Sequence, residues 1–405
     1  MVAIDNIKEK YGNEVALVIL ACRVFFESAS LNELKAFINS NNIAWERFMY
    51  LSKIHRVRPI VYKVVSQANI PDSIKPAIFS EQLKLTKTNF RQAIETERII
   101  LLLKKNNIEV LPYKGTHFSK QFFGDLASRE SSDIDLVIRP QYLDQAISVL
   151  KKDGYQPELD DIYGHLGKTY FSYFKDYNLN KFVLGKRVFH VELHWAIVEK
   201  EIGVNAGVDS FLFRTDNNLA DVNNGVKTLS GLPHFSAILI HHCFKDNLKF
   251  LKNIVDISQA TKQPDIQESA GRLNENFREL GLQKPLAVSN GLSRNLFGIS
   301  LTQIDTGKVS DKVINYFFNE VCSAHLSSPN NDKDRMSLWF KNTSFLQDSF
   351  IQKLKFYWVC WSFRFIPGRF DFRLVQLPHR FFFVYYFIKP FRTVAKLLRF
   401  FEKKK

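Results

Sequence analysis

The sequence predicts an α+β fold in which a small mixed sheet is flanked by an N-terminal helical region and a C-terminal, mostly helical region. Apolar residues recur with helical period over residues 1–106, alternate with polar residues over 107–196, and return to helical period from Pro233. The chain has 405 residues, of which 45% are hydrophobic, enough to bury a sizeable core in two or three domains. The parts are expected at 1–106, 107–230, 231–350 and, for a basic aromatic tail, 351–405.

The N-terminal region is predicted to form a helical cap on the sheet-containing core. Asp72 and Ser73 can cap a long helix, Pro76 suits its first turn, and the helical pattern continues over 90–105. Shorter helices are expected at 15–26, 31–38 and 45–54.

The core is predicted to mix strands and helices. Pro140 suits the start of an amphipathic helix over 142–151, which Gly154 ends. Residues 169–177 and 187–195 are predicted to be antiparallel strands, joined by a turn around 178–185. The other core elements are strands at 108–113 and 134–138 and a helix near 116–123.

Residues 197–230 are predicted to be rich in loops, because Asn223-Asn224-Gly225 is a turn signal. Beyond Pro233 the pattern is helical again, at 234–244, 248–261, 266–280 and on to about 347.

Two carboxylates stand two residues apart: Asp133 lies just before the apolar run 134–138, and Asp135 lies within it. Because side chains alternate along a strand, Asp133 and Asp135 are expected on one face, with Ile134 and Leu136 facing a core. Paired carboxylates on a rigid strand offer hard oxygen ligands that suit Mg²⁺ or Mn²⁺. The alternative is that both acids cap the strand end and face water.

A third carboxylate lies in a later strand. Alternation over 189–195 places His190, Glu192 and His194 on one face and Trp195 on the opposite, apolar one. Glu192 can therefore join the pair from a neighbouring strand. His194 can orient this carboxylate or contact substrate, or it can be a structural histidine.

A glycine turn precedes the carboxylates. Gly115 lets a ligand approach the backbone closely, and the N–H groups of the following helix start suit a phosphate. Lys114 adds a positive charge, and Thr116 can donate to phosphate or cap the helix. Arg129 can bind phosphate as a bidentate fork, or pair on the surface with Glu130 or Asp125.

These residues carry a family resemblance. A glycine turn, Asp-x-Asp in an apolar strand and a carboxylate in a later strand together resemble the DNA-polymerase-β-like nucleotidyltransferase superfamily. The details are similar to one bacterial branch, an uncharacterised nucleotidyltransferase family, over roughly residues 15–300, with the motifs at 108–196. The matching residues are Lys114-Gly115, Arg129, Ser132-Asp133-Ile134-Asp135, Gly154-Tyr155, the stretch 191–195, Ile240-His241-His242 and Asp256-Ile257.

The resemblance implies a Mg²⁺- or Mn²⁺-dependent nucleotidyltransferase whose catalytic core is 107–230. A hydroxyl would attack the α-phosphate of a nucleoside triphosphate such as ATP, and pyrophosphate would leave. Asp133 and Asp135 would hold two ions roughly 4 Å apart, and Glu192 would complete the catalytic metal site and help deprotonate the acceptor. Nucleotide binding would fall to Lys114, Gly115, Thr116, Arg129, Ser132 and His194. The acceptor hydroxyl stays open between protein, sugar, lipid-linked and RNA substrates.

The pair His241-His242, with Asp256 further on, loosely resembles metal-phosphohydrolase spacing. In a helix the two rings point about 100° apart, so only one is expected to face any given site. Packing against the core or contact with the nucleotide cleft is favoured over a metal there.

The positive charge is concentrated in the tail. Residues 351–405 hold thirteen Lys or Arg and two acids, a net of +11 out of +15 for the chain. The charge therefore gives no ground for chain-wide nucleic-acid binding. The apolar run 381–388 is too short for a membrane span, which needs about 20 residues. Three interpretations remain for the tail: contact with an anionic membrane surface, packing as the last helices of the fold, and, less favoured, nucleic-acid binding.

The cysteines and the N-terminus predict a cytoplasmic protein. The four cysteines have no metal-ligand spacing and are expected to be thiols, and the charged start does not resemble a signal peptide. A location on the inner face of the membrane is the alternative. Two rival functions remain: a catalytically silent relative that binds a nucleotide or partner, and a membrane-peripheral protein of polysaccharide or surface assembly anchored by its tail.

Overall fold

A five-stranded mixed sheet between two sets of helices confirms the predicted α+β class. The computed structural model describes residues 1–199, 202, 219–222, 226–304, 309–324, 332–362, 365 and 367–392. In spatial order the sheet runs β1-β2-β5-β4-β3, and only β2 and β5 pair in parallel. Its strands are β1 Val110–Pro112, β2 Ile134–Ile138, β3 Gln156–Pro157, β4 Asp176–Val183 and β5 Lys186–His194. A separate antiparallel pair is formed by β6 Leu219–Val222 and β7 Val226–Leu229.

Six helices precede the sheet. Four were predicted, and the helix over 45–54 was predicted with its exact bounds. The long α6 has its proline in the first turn, as predicted, but its N-cap is Ile74 and no side chain caps it. The six are α1 Ile4–Tyr11, α2 Asn13–Phe25, α3 Leu31–Ser40, α4 Trp45–Ile54, α5 Arg58–Val65 and α6 Lys75–Lys105.

Short helices connect the strands of the core. The amphipathic helix predicted over 142–151 is α8, and it follows a short 3₁₀ turn that begins at Pro140. The helix predicted near 116–123 is α7 continued by a π turn, Ser119–Phe123. The core helices are α7 Gly115–Phe118, α8 Leu143–Lys152, α9 Asp160–Leu166 and α10 Tyr170–Tyr173.

One part of the predicted core is wrong. Residues 169–177 are not one strand, since Tyr170–Tyr173 is helical and β4 starts only at Asp176. Aromatic residues pack around Tyr170, whose ring stacks on that of Phe174 with the two ring centroids 4.2 Å apart. The turn predicted around 178–185 is reduced to Leu184 and Gly185, both with positive φ. Asn178 and Asn180, inside the predicted turn, lie in β4 instead.

Helices return after β7. The single helix predicted over 266–280 is broken at Ser269, and the others lie close to their predicted positions. They are α11 Gly231–Phe244, α12 Leu251–Thr261, α13 Pro264–Glu268, α14 Ala270–Glu279, α15 Gln283–Phe297, α16 Asp311–Cys322, α17 Asp332–Phe345, α18 Phe350–Ser362 and α19 Arg369–Leu374. Residues 385–392 are also helical. Within the described residues, no helix combines the length and apolar character that crossing a bilayer requires.

Two hydrophobic cores hold these elements together. The larger joins the N-terminal helices to the helices after β7, and Arg23 reinforces it by donating to the carbonyl of Leu296 at 2.6 Å. The smaller lies under the sheet and includes Ile134, Leu136 and Trp195, which confirms the predicted apolar faces of β2 and β5. A polar cleft lies where the opposite face of the sheet meets the helices after β7.

Candidate functional site

The cleft has a volume of about 400 Å³ and draws its lining from distant parts of the chain. The sheet supplies Asp135 and Glu192, the turn before α7 supplies Lys114 and Gly115, and the segment before β2 supplies Asp133. Of the predicted site residues, Arg129 and Ser132 also line it.

The parallel pairing of β2 and β5 brings two predicted carboxylates together. Asp135 and Glu192 are partners in the register, so their side chains emerge side by side on one face. His194 Nε2 lies 3.1 Å from Asp135 Oδ1 and 3.0 Å from Glu192 Oε2. One donor atom from each of these three residues lies within 4.8 Å of the others, close enough for all three to ligate one metal ion.

Electrostatics keep both carboxylates ionised. Burial alone would raise the pKa of Asp135, but Lys114 Nζ at 2.6 Å and His194 outweigh it, so the pKa lies below its ordinary value. Burial likewise opposes ionisation of Glu192, and hydrogen bonds with His190 and His194 lower the pKa of that carboxyl far below its ordinary value. The Glu192 hydrogen bond in turn raises the pKa of His190. The two carboxylates therefore stay negative across the neutral range.

Asp133 lies in the same cleft but outside this tight group of three. It is half-buried just before β2, and Ser132 Oγ donates to its Oδ2 at 2.7 Å. Asp133 and Asp135 were predicted to share one face of the strand. Both line the cleft, and Asp133 lies nearer to solvent.

The turn before α7 requires a glycine at position 115. Gly115 has φ +65°, and a Cβ at this position would lie 3.1 Å from Ser131 Oγ. Lys114 is the N-cap residue of α7 and points to Asp135. Thr116 is buried inside the first turn and, in the part of the chain that the structure describes, is not among the residues that line the cleft.

Arg129 has a partner that the sequence did not suggest. Its Nε donates to both carboxylate oxygens of Asp256, at 3.0 and 2.9 Å, and its Nη1 donates to the carbonyl of Gly115 at 3.3 Å. The two candidate surface partners are otherwise engaged: Glu130 binds Arg58, and Asp125 accepts hydrogen bonds from Ala127 and Ser128. Arg129 therefore ties the glycine turn to helix α12.

A second cluster lies on the helical wall of the cleft. The expectation that only one of His241 and His242 faces a given site is wrong, because both line the cleft at the C-terminal end of α11. Asp246 lies between them, with its Oδ2 3.0 Å from His242 Nδ1 and 3.9 Å from His241 Nε2. His242 Nε2 also lies 3.0 Å from Asp256 Oδ2, so Asp256 contacts this cluster through His242.

Several cleft residues were missed from the sequence. Lys252 is a cation in this wall whose pKa burial lowers to about 8, helped by the charge of Arg129. Lys245 and Asp246 follow His242 by three and four residues, about one helical turn, and that spacing was the available signal. Arg56 and Lys175, which also line the cleft, had none.

The chain matches a known protein family. The model of a family described as uncharacterised nucleotidyltransferase matches residues 41–298, which include the sheet, the glycine turn and the histidine pair. No curated protein and no solved structure matches the chain.

Proposed function

Since the chain belongs to the uncharacterised nucleotidyltransferase family, we propose that its cleft transfers a nucleoside monophosphate from a nucleoside triphosphate to a hydroxyl group. The observation that carries this proposal is the register pairing of Asp135 with Glu192 beside the glycine turn. The same order of motifs supports a place in the DNA-polymerase-β-like superfamily, a bacterial origin, and a catalytic core at 107–230.

The donor set suits a divalent ion. Asp135 and Glu192 offer ionised oxygens, the ligands that hard divalent ions prefer. Asp135 already pairs with one cation, since Lys114 Nζ lies 2.6 Å from its Oδ1. We propose that Asp135 and Glu192, joined by Asp133 from the cleft mouth, hold Mg²⁺ or Mn²⁺. Such ions supply charge neutralisation on the α-phosphate and activation of the attacking hydroxyl.

Individual residues of the cleft have distinct roles in this reaction. Lys114 and the backbone at Gly115 receive phosphate oxygens, with Ser132 at the mouth of the cleft. His194 is a positioning residue, since its Nε2 lies within 3.1 Å of both carboxylates. The lowered pKa of Glu192 favours the role of metal ligand over that of general base. The ion pair with Asp256 supports a role for Arg129 in orienting the Gly115 turn.

Calorimetric titration of ATP, GTP, CTP and UTP, with and without Mg²⁺ or Mn²⁺, tests the proposal. Metal-dependent binding of at least one nucleotide is expected for the wild type and not for Asp135→Asn/Glu192→Gln. The control Asp160→Asn/Asp161→Asn makes the same change in net charge outside the cleft and is expected to bind as the wild type does. Metal-independent binding that survives in the site variant would contradict the proposal.

Transfer is tested with a triphosphate labelled at the α-phosphate and incubated with a cell lysate. Label in protein, RNA or carbohydrate that depends on Asp135 and Glu192 would identify the acceptor class. Nucleotide binding without any transfer would favour the catalytically silent relative.

A further inference from the structure

Helix α18 exposes an apolar stripe to solvent. At 100° per residue, Phe350, Ile351, Leu354, Trp358 and Trp361 fall within an arc of about 100°, and all five are exposed. Trp358 and Trp361 keep 66% and 49% of their surface exposed. In an ordinary surface helix the apolar stripe faces the core, whereas here it faces outward.

The opposite side of the same helix makes the inward contact. Phe356 points away from the stripe and is 1% exposed. Its ring packs against Trp339 at 5.8 Å and Phe340 at 5.2 Å. The outward orientation of the stripe is therefore fixed by packing.

The tail that follows continues this composition. Exposed aromatic rings at Phe370, Phe381, Phe383, Phe387 and Phe391 lie among basic residues. In the described part of 351–392 there are seven Lys or Arg and one acid, Asp371. That acid is buried and paired with Arg392. Arg373 is likewise paired, with Asp161 of α9, so the exposed surface is apolar and carries the net positive charge of the remaining Lys and Arg.

From this combination we propose that α18 and the following tail dock on an anionic lipid bilayer surface. Trp and Phe side chains would enter the boundary between headgroups and acyl chains, while Lys and Arg meet the lipid phosphates. The charge is complementary to an anionic membrane and works against a second copy of this chain, which would bring two cationic surfaces together. Nucleic acid is less suited, because Ile351 and Leu354 offer no ring on which a base can stack.

Flotation of the full-length protein with lipid vesicles tests the docking. Binding is expected to phosphatidylcholine vesicles that contain phosphatidylglycerol, to weaken with salt, and to be much lower on pure phosphatidylcholine. Trp358→Ser/Trp361→Ser is expected to reduce partitioning more than about tenfold, because burying even one large apolar side chain contributes about that factor.

The matched control is Phe79→Ser/Phe90→Ser, which removes two rings that are 68% and 49% exposed on another helix, α6. This control is expected to partition as the wild type does. No binding to anionic vesicles, or equal loss in both variants, would overturn the proposal.

Quenching by brominated lipids gives a second measurement that does not depend on how well the serine variant folds. Quenching of the wild type is expected to be largely lost in Trp358→Phe/Trp361→Phe, while flotation persists. Quenching that persists in this variant would overturn the assignment of the stripe. Two other results would also overturn it. One is a dimer that forms without lipid and that the serine substitutions dissociate; the other is RNA that binds the stripe and displaces the protein from vesicles.

Discussion

Removing Asp256 is expected to destabilise the protein more than removing its partner Arg129. Both side chains are almost fully buried, at 1% and 4% exposure. Breaking a buried ion pair by deleting one member costs about 3–5 kcal/mol, because the other charge stays buried without compensation. The contacts that survive each deletion decide how much of this cost applies.

After Arg129→Met, Asp256 keeps His242 Nε2 at 3.0 Å and Lys252 Nζ at 3.7 Å. After Asp256→Leu, the described contacts left to Arg129 are the Gly115 carbonyl and the ring of Phe118. We therefore expect a loss of about 2–3 kcal/mol in unfolding free energy for Arg129→Met and about 3–5 kcal/mol for Asp256→Leu. The double variant should lose less than the sum of the two.

Urea unfolding followed by tryptophan fluorescence measures these differences. The control is the exposed pair Arg373–Asp161, whose single deletions should each cost less than about 1 kcal/mol. The reasoning is refuted if Arg129→Met costs as much as Asp256→Leu, or if either costs no more than the surface control. A small loss of stability with a large loss of nucleotide affinity in Arg129→Met would instead indicate a direct phosphate contact.

Three further predictions concern the cleft and the thiols. Gly115→Ala should destabilise the protein by about 1–2 kcal/mol, since φ is +65° and the new Cβ would lie 3.1 Å from Ser131 Oγ; thermal unfolding checks this. Because burial lowers the pKa of Lys252 to about 8, the unfolded chain holds this proton more tightly, so stability should rise between about pH 8 and 10.5. In Lys252→Met that part of the rise should disappear from urea-unfolding curves. Only Cys360 should react with a thiol reagent in the native protein, because the other three cysteines are buried, and all four should react in denaturant.

The sheet half of the site could be predicted because strand geometry is simple. Alternation alone puts Asp135 and Glu192 on polar faces, and the strand over 134–138 coincides with β2. The helical half was predicted only in part: contact of the histidine pair with the cleft was one expectation, but α11 is buried on nearly every side and shows no polar stripe that would indicate which residues accompany the pair. For example, no residue near Asp256 in the sequence indicates that its side chain will pair with Arg129, 127 residues earlier in the chain.

The fold was predicted best where apolar runs have clear ends. The apolar run 134–138 is bounded by Asp133 and Arg139, and this strand matches exactly, as does the helix over 45–54. Prediction failed over 169–177 because aromatic residues favour strands by propensity, whereas their packing around Tyr170 accompanies a helix over 170–173.

The long separations across the cleft also set the order in which the molecule can be completed during synthesis. His194 meets Asp135 across 59 residues, whereas Arg129 waits for Asp256 across 127. A chain that leaves the ribosome from its N-terminus can therefore finish the sheet before α12 exists. During that interval Arg129 lacks Asp256, the acid with which it later pairs. The apolar surfaces that α12 later covers are still exposed, and chaperones can bind them. The cleft is thus completed later than the sheet, and a pause in translation before residue 251 would prolong the interval in which these apolar faces are exposed.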